Sequence, residues 1–190
     1  IGCGMIGQKR AKALGSGGRL VACADIEVSR AESLATGTNA KVLCDWQELV
    51  RLPGVDVVIV ATLHDSLAEI TLASIKAGKH VLVEKPISNT YEGLEELNHE
   101  AVKNNCVLMV GYNLRFLTSL NKFKDLIDDN FIGNLYSVRS EVGQYLPSWR
   151  DKDYRKTVSA QKILGGGVLL ELSHELDYLR WIFGDVEFVQ

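Results

Sequence analysis

Two stretches near the start decide the fold: Gly2-Cys3-Gly4-Met5-Ile6-Gly7, and the run Leu20-Val21-Ala22-Cys23-Ala24-Asp25, which ends eighteen residues past Gly7. The first fits GxGxxG. In that pattern the first Gly permits a tight turn, the second lets a pyrophosphate approach the backbone, and the third allows the following helix to pack closely. The N-terminus of that helix faces the phosphates with a partial positive charge. The second stretch is an apolar strand ending on a carboxylate, where an acidic residue accepts from the adenosine ribose hydroxyls. Gly2, Gly4, Met5, Ile6, Gly7 and Asp25 are therefore the expected dinucleotide-binding residues. Asp25 repels a 2′-phosphate and Ile26 cannot clamp one, so NAD is expected in preference to NADP. Two alternatives stay open: Arg30 is either a solvated helix residue or a partner for such a phosphate, and Asp25 can also serve as a helix or turn cap.

Outward from this motif, β-branched and apolar runs predict strands at 19–24, 55–62, 80–83, 106–110 and 135–142. Helices are expected at 7–14, 30–36, 46–51, 67–77 and 91–104, the last two with apolar residues at three- and four-residue spacing. Gly78 marks a helix end, and Pro53-Gly54 leads into a strand. Strand alternating with helix implies right-handed crossovers and a parallel sheet covered on both faces. Beyond Gly111 the character changes: 115–130 reads as a connecting amphipathic helix, 135–142 as a half-exposed strand, and Val168 to Phe183 as one helix ended by Gly184. The fold class is thus α/β, a Rossmann-type parallel-sheet domain over residues 1–118 followed by the start of a second α/β domain over 119–190. Only Ile1 stands where a strand must precede the glycine loop, and Gln190 lies inside the β-prone run that begins at Val186. Both ends therefore read as truncated.

Composition narrows the function classes. The 190 residues are 46% hydrophobic and 24% charged, and no apolar run, Val57 to Ala61 included, exceeds five residues, far too few to span a membrane. A net charge of −3, without a dense cationic block, argues against nucleic acid as a partner. Cys3, Cys23, Cys44 and Cys106 are scattered, with no CxxC pair and no His at zinc-ligand spacing, so neither a metal site nor a disulfide framework is expected. Reduced thiols point to the cytoplasm.

Two further segments carry candidate chemistry. Gly78-Lys79-His80-Val81-Leu82-Val83-Glu84-Lys85-Pro86 sets Lys85 just beyond the carboxyl end of a buried strand, where open α/β sheets hold their ligands. Thr62, after the third strand, is expected to line the same crevice. Glu171, His174 and Asp177 follow one another at three-residue intervals, on a broad helix face. His relays protons near neutral pH, and a desolvated Lys does so as well. Composition alone also allows surface roles for all of these.

The segments GCGMIG (2–7), AGKHVLVEKP (77–86), GYNLRF (111–116) and GGGVLLELSHELDYLRWIFG (165–184) resemble the glucose-fructose oxidoreductase and inositol dehydrogenase family (Gfo/Idh/MocA) along the whole chain. The resemblance implies a Rossmann domain and a C-terminal α/β domain whose large open sheet binds substrate and mediates homo-oligomerisation. It implies hydride transfer between a nicotinamide cofactor and a hydroxyl or keto carbon of a sugar, cyclitol or nucleotide sugar. Lys85 and His174 become the implied proton-transfer residues and substrate contacts, with Glu84 and Lys85 also beside the cofactor and Asp177 catalytic or orienting. Many members carry an Asp four residues before that His; Leu170 stands there in this chain, with Glu171 one residue later, which puts the role of Glu171 in question. A second reading follows from that displacement, a non-catalytic NAD(H)-binding sensor or regulatory module. Tyr112 and Arg115 match the YNxRF segment, either as substrate contacts or in packing. Trp149 and Arg150, in a long polar and aromatic loop, suit a sugar by ring stacking and bidentate contacts, or else fix the loop to its own domain.

Overall fold

The computed structural model describes residues 1–143, 145, 147, 153–157, 160–161 and 166–190. Trp149, Arg150 and Gly165 lie outside the described residues. The chain divides into two compact units, Ile1–Gly111 and Tyr112–Gln190, so the division falls a few residues before Thr118.

In the first unit the strands β1 (Ala22–Ala24), β2 (Lys41–Leu43), β3 (Val57–Val60), β4 (His80–Val83) and β5 (Leu108–Val110) alternate with helices α1 (Met5–Lys12), α2 (Val28–Ala35), α3 (Trp46–Val50), α4 (Leu67–Lys76) and α5 (Leu94–Lys103). All strand pairs are parallel: β1 with β2, β3 with β4, and β4 with β5. The backbone of Ile1 and Gly2 bridges the two ladders. The Ile1 amine donates to Ile59 O (2.7 Å), Ala61 N–H donates to Ile1 O (2.8 Å), and Gly2 N–H donates to Ala24 O (2.8 Å). Across the layer the order is therefore β2, β1, Ile1–Gly2, β3, β4, β5. Strand order reverses where the glycine loop leaves the sheet, which is the switch point at which such folds bind ligands.

The core of this unit follows from the apolar runs. Val60 and Val83 on the sheet meet Leu67 and Ile75 on α4, all four with no measurable exposure. Burying each such side chain stabilises the fold by about 1.5–3 kcal/mol. The helix stop expected at Gly78 is a Schellman turn: Gly78 adopts φ 74° and donates to Ile75 O (2.9 Å), while Lys79 N–H donates to Ser74 O (3.0 Å).

The second unit opens with a 3₁₀ turn, Asn113–Phe116, followed by α6 (Thr118–Asp128), a short 3₁₀ turn at Tyr154–Lys156, α7 (Val168–Glu171) and α8 (Ser173–Phe183). Phe123 of α6 packs edge-on against Phe183 of α8, with ring centroids 6.2 Å apart.

Three expectations need correction. The strand β2 was not foreseen. The segments 135–142 and 186–190 form no strand, because a strand exists only as a member of a ladder and neither segment pairs with another among the described residues. The single helix expected from Val168 to Phe183 is two helices, interrupted at Leu172, whose φ −97° and ψ 26° leave the helical range. Among the described residues no helix is long and apolar enough to cross a membrane.

Candidate active site

The glycine loop is built by close approach. Gly2 adopts φ 82°, and a Cβ there would lie 2.5 Å from Ala61 O; a Cβ on Gly7 would lie 1.9 Å from Gly2 O. Both positions exclude any side chain for steric reasons. Gly4 differs, since a Cβ there would meet nothing within 4 Å. The space over Gly4 is open, as backbone approach by a pyrophosphate requires. No side chain caps α1, no acidic residue lies in its first turn, and Lys9, Arg10 and Lys12 fill its last turn. The positive end of its dipole is left to face an anion. Of the remaining loop residues, Met5 is exposed and Ile6 is half-buried.

Asp25 follows directly on β1 and is buried, at 8% exposure. Its Oδ2 accepts from Cys3 N–H in the glycine loop (2.7 Å), and its Oδ1 accepts from Glu27 N–H (2.9 Å). The carboxylate thus caps its own turn and clamps the loop. Each oxygen keeps a further lone pair for a ribose hydroxyl. Arg30, the one residue that could have favoured a 2′-phosphate, lies 3.6 Å from the Glu27 carboxylate. The Cys3 thiol is buried beside this turn and is pushed up, first by its hydrogen bond with the Cys23 side chain and then by burial, so it stays protonated and unreactive.

Thr62 is half-buried, with its backbone N 2.8 Å from the position of a Gly2 Cβ, and its Oγ1 accepts from Ser66 Oγ (3.0 Å). Glu84 and Lys85 follow β4, and the Lys85–Pro86 peptide is cis. Lys85 is half-buried. Because every strand is parallel, Asp25, Thr62, Glu84 and Lys85 all emerge at the carboxyl edge of one sheet, together with the glycine loop. Arg10, which sequence reasoning did not single out, donates from Nε to Glu84 Oε1 at 2.5 Å.

In the second unit the Tyr112 to Phe116 segment is locked onto α8. The Tyr112 and His174 rings meet edge-on with centroids 5.7 Å apart. Arg115 grips Asp177 with a two-pronged contact, Nε to Oδ2 at 2.8 Å and Nη2 to Oδ1 at 2.6 Å, and its guanidinium lies 5.8 Å from the Trp181 ring centroid. The bond to Asp177 raises the Arg115 guanidinium further above its ordinary value. Asp177 therefore orients Arg115, and the two hold the turn against the helix that carries His174. Glu171 ends α7 on the far side of the Leu172 break, so it does not share a continuous helix face with His174. Arg155, from the long loop, pairs with its neighbour Asp153 through Nε (2.9 Å) and Nη2 (3.1 Å).

A glycine loop at the switch point of a parallel sheet, with a buried carboxylate closing the adjacent strand, defines a dinucleotide-binding Rossmann domain. Residues 1–112 match the family model described as an oxidoreductase family with an NAD-binding Rossmann fold, and residues 120–190 match its C-terminal domain. The chain belongs to the Gfo/Idh/MocA oxidoreductase family. It is 33% identical to a 1,5-anhydro-D-fructose reductase from Ensifer adhaerens, over 90% of this chain and 50% of that protein. It is 30% identical to inositol 2-dehydrogenase 3 from Saccharopolyspora erythraea, over 97% of this chain and 53% of that protein. A solved levoglucosan dehydrogenase in complex with NADH and levoglucosan superposes with a TM-score of 0.77 at 25% identity, covering 97% of this chain and 53% of that one. The chain thus spans about half the length of these relatives.

Proposed function

We propose that the protein is an NAD-dependent dehydrogenase that moves a hydride between the cofactor and a hydroxyl or keto carbon of a sugar or cyclitol, nucleotide sugars included. One observation carries the reading: Lys85 stands at the carboxyl end of β4, on the same sheet edge as the glycine loop and Asp25. NAD, when bound, supplies the hydride-accepting carbon. The chain's own part is to hold the dinucleotide by the glycine loop and Asp25, and to take the hydroxyl proton as the adjacent carbon gives up its hydride. Lys85 and His174 are the proposed proton-transfer residues. Asp177 acts through Arg115 and the Tyr112 turn, and Tyr112, Arg115, Trp149 and Arg150 are proposed on the substrate side. The names of the relatives favour an uncharged, polyhydroxylated ring as substrate, since anhydro-fructose, inositol and levoglucosan share that chemistry. Homo-oligomerisation through the C-terminal sheet belongs to the same proposal.

The test uses the full-length protein with NAD and a panel of myo-inositol, scyllo-inositol, levoglucosan, free sugars and nucleotide sugars, and with NADH and 1,5-anhydro-D-fructose for the reverse reaction, read by NADH absorbance. Turnover of an uncharged ring is expected. Tight NADH binding with no turnover across the panel would overturn the reading and leave a sensor.

The geometry of Asp25 also sets a cofactor prediction. Asp25→Ala leaves the Cys3 and Glu27 N–H groups without their charged acceptor and relaxes the glycine loop. Calorimetric titration is expected to show NADH and ADP-ribose affinity falling together by about 10- to 100-fold, the scale of losing hydrogen bonds to a charged group. A variant that kept NADH affinity, or that simply exchanged it for equally tight NADPH binding, would contradict the loop-clamping role.

A further inference from the structure

Arg10 lies one turn beyond Gly7 on α1, and so on the face that Gly7 presents to the sheet. Its guanidinium reaches Glu84, 74 residues away in the chain. Both side chains are largely withdrawn from water, with 25% exposure for Arg10 and 15% for Glu84. Gly111 closes the pair from a third side: a Cβ there would lie 3.1 Å from Arg10 Nη2 and 3.3 Å from Glu84 Oε2, and Gly111 N–H donates to Val83 O at 2.7 Å. Withdrawing two charges from water costs free energy that their attraction often fails to exceed, so such a pair is weak evidence for stability alone. Its location is the informative part. It joins the helix that faces the pyrophosphate to the strand end that carries Lys85.

We propose that Arg10 is a positioning residue: it holds the Glu84 carboxylate at the end of β4, where that carboxylate accepts from the hydroxyls of the nicotinamide ribose. This rests on the dinucleotide reading above and adds a division of labour to it. Asp25 and the glycine loop hold the ADP half, and the Arg10–Glu84 pair seats the nicotinamide ribose. A carboxylate is an acceptor only, so it suits a ribose diol; fixing it in advance removes the ordering cost from binding.

The test compares NADH with ADP, which lacks the nicotinamide and its ribose, on the full-length protein by fluorescence and calorimetric titration. Arg10→Met and Glu84→Gln are each expected to weaken NADH by about tenfold, the order of one hydrogen bond to a charged group, while ADP affinity stays within about twofold. Arg10→Lys keeps the positive charge and one charge-assisted donor, and is expected to recover most of the lost NADH affinity. A purely structural pair would move both ligands together or neither. Equal losses for NADH and ADP in Arg10→Met, or no loss for either, would overturn the inference. Absence of binding of both ligands to the unmutated protein would instead overturn the dinucleotide reading on which it rests.

Discussion

Replacing Lys85 with Met is expected to lower turnover by about a thousandfold while leaving NADH affinity within about threefold. The magnitude is that of a positioned general acid–base group, which contributes about 10²- to 10⁴-fold. The separation of the two effects comes from the fold. The ADP half of the dinucleotide is proposed to rest on Gly4 and Asp25, on the opposite side of the switch point from β4, which carries the substituted residue. Methionine keeps most of the apolar stem of lysine, so the half-buried site loses little packing. Steady-state kinetics with a substrate from the panel, alongside fluorescence titration of NADH, measures both quantities. Retained turnover would remove Lys85 from the chemistry, and a parallel loss of NADH affinity would mean that it serves binding instead.

The second large effect separates two glycines of one motif. Gly7→Ala places a Cβ 1.9 Å from the carbonyl oxygen of Gly2, which is backbone and cannot swing aside. Helix α1 must shift outward, and overpacking of this kind costs about 1–3 kcal/mol. At the upper end, that lowers the melting temperature by about 6–12 °C in a chain of this size. NADH affinity is expected to fall by about a hundredfold or more, because the helix N-terminus moves away from the phosphates. Gly4→Ala adds the same methyl group where nothing lies within 4 Å and where φ is −67°, a value any residue adopts. Its thermal stability is expected to match that of the unmutated protein, with NADH affinity down by about 10- to 100-fold, the scale of one or two hydrogen bonds to a charged group. Thermal melts and NADH titrations of the two variants check this. Equal melting losses for both would show that Gly4 serves the fold and not the ligand.

Much of this architecture was legible in the sequence, for identifiable reasons. Strand β4 coincides with the expected run His80 to Val83, because three consecutive apolar residues, Val81 to Val83, between Gly78 and Glu84 admit little else. Strand β2, Lys41 to Leu43, escaped notice because it opens on a charged residue and only Val42 to Cys44 are apolar, whereas the equally short β1 and β5 lie within apolar runs of five. The alternation at 135–142 describes a segment able to join a sheet, but alternation cannot supply the partner. The interruption at Leu172 has no Gly or Pro to announce it, and apolar periodicity runs through it unbroken.

At the candidate site, the glycine loop and Asp25 stood out in the sequence because their spacing is the one a dinucleotide of fixed size requires. Arg10 did not. A basic residue in the last turn of a helix reads as a solvated partner for the helix dipole. Only the approach of Glu84 from a distant strand reveals that it points into the sheet edge. Asp177 shows the same limit: its three-residue spacing from His174 places both on one helix, but nothing in that spacing announces the pairing of its carboxylate with Arg115, 62 residues earlier in the chain.

The central claim is that the glycine loop, Asp25 and Lys85 serve one dinucleotide and one reacting carbon. A crystal structure of the full-length protein with NADH and a substrate from the panel tests it most directly. The expected complex has the pyrophosphate over Gly4, the adenosine ribose hydroxyls on Asp25, and the nicotinamide within about 3.5 Å of a substrate carbon. The hydroxyl on that carbon would lie within about 3.2 Å of Lys85 Nζ. A dinucleotide bound with its nicotinamide directed away from the end of β4, and Lys85 out of reach of the substrate hydroxyl, would contradict the account.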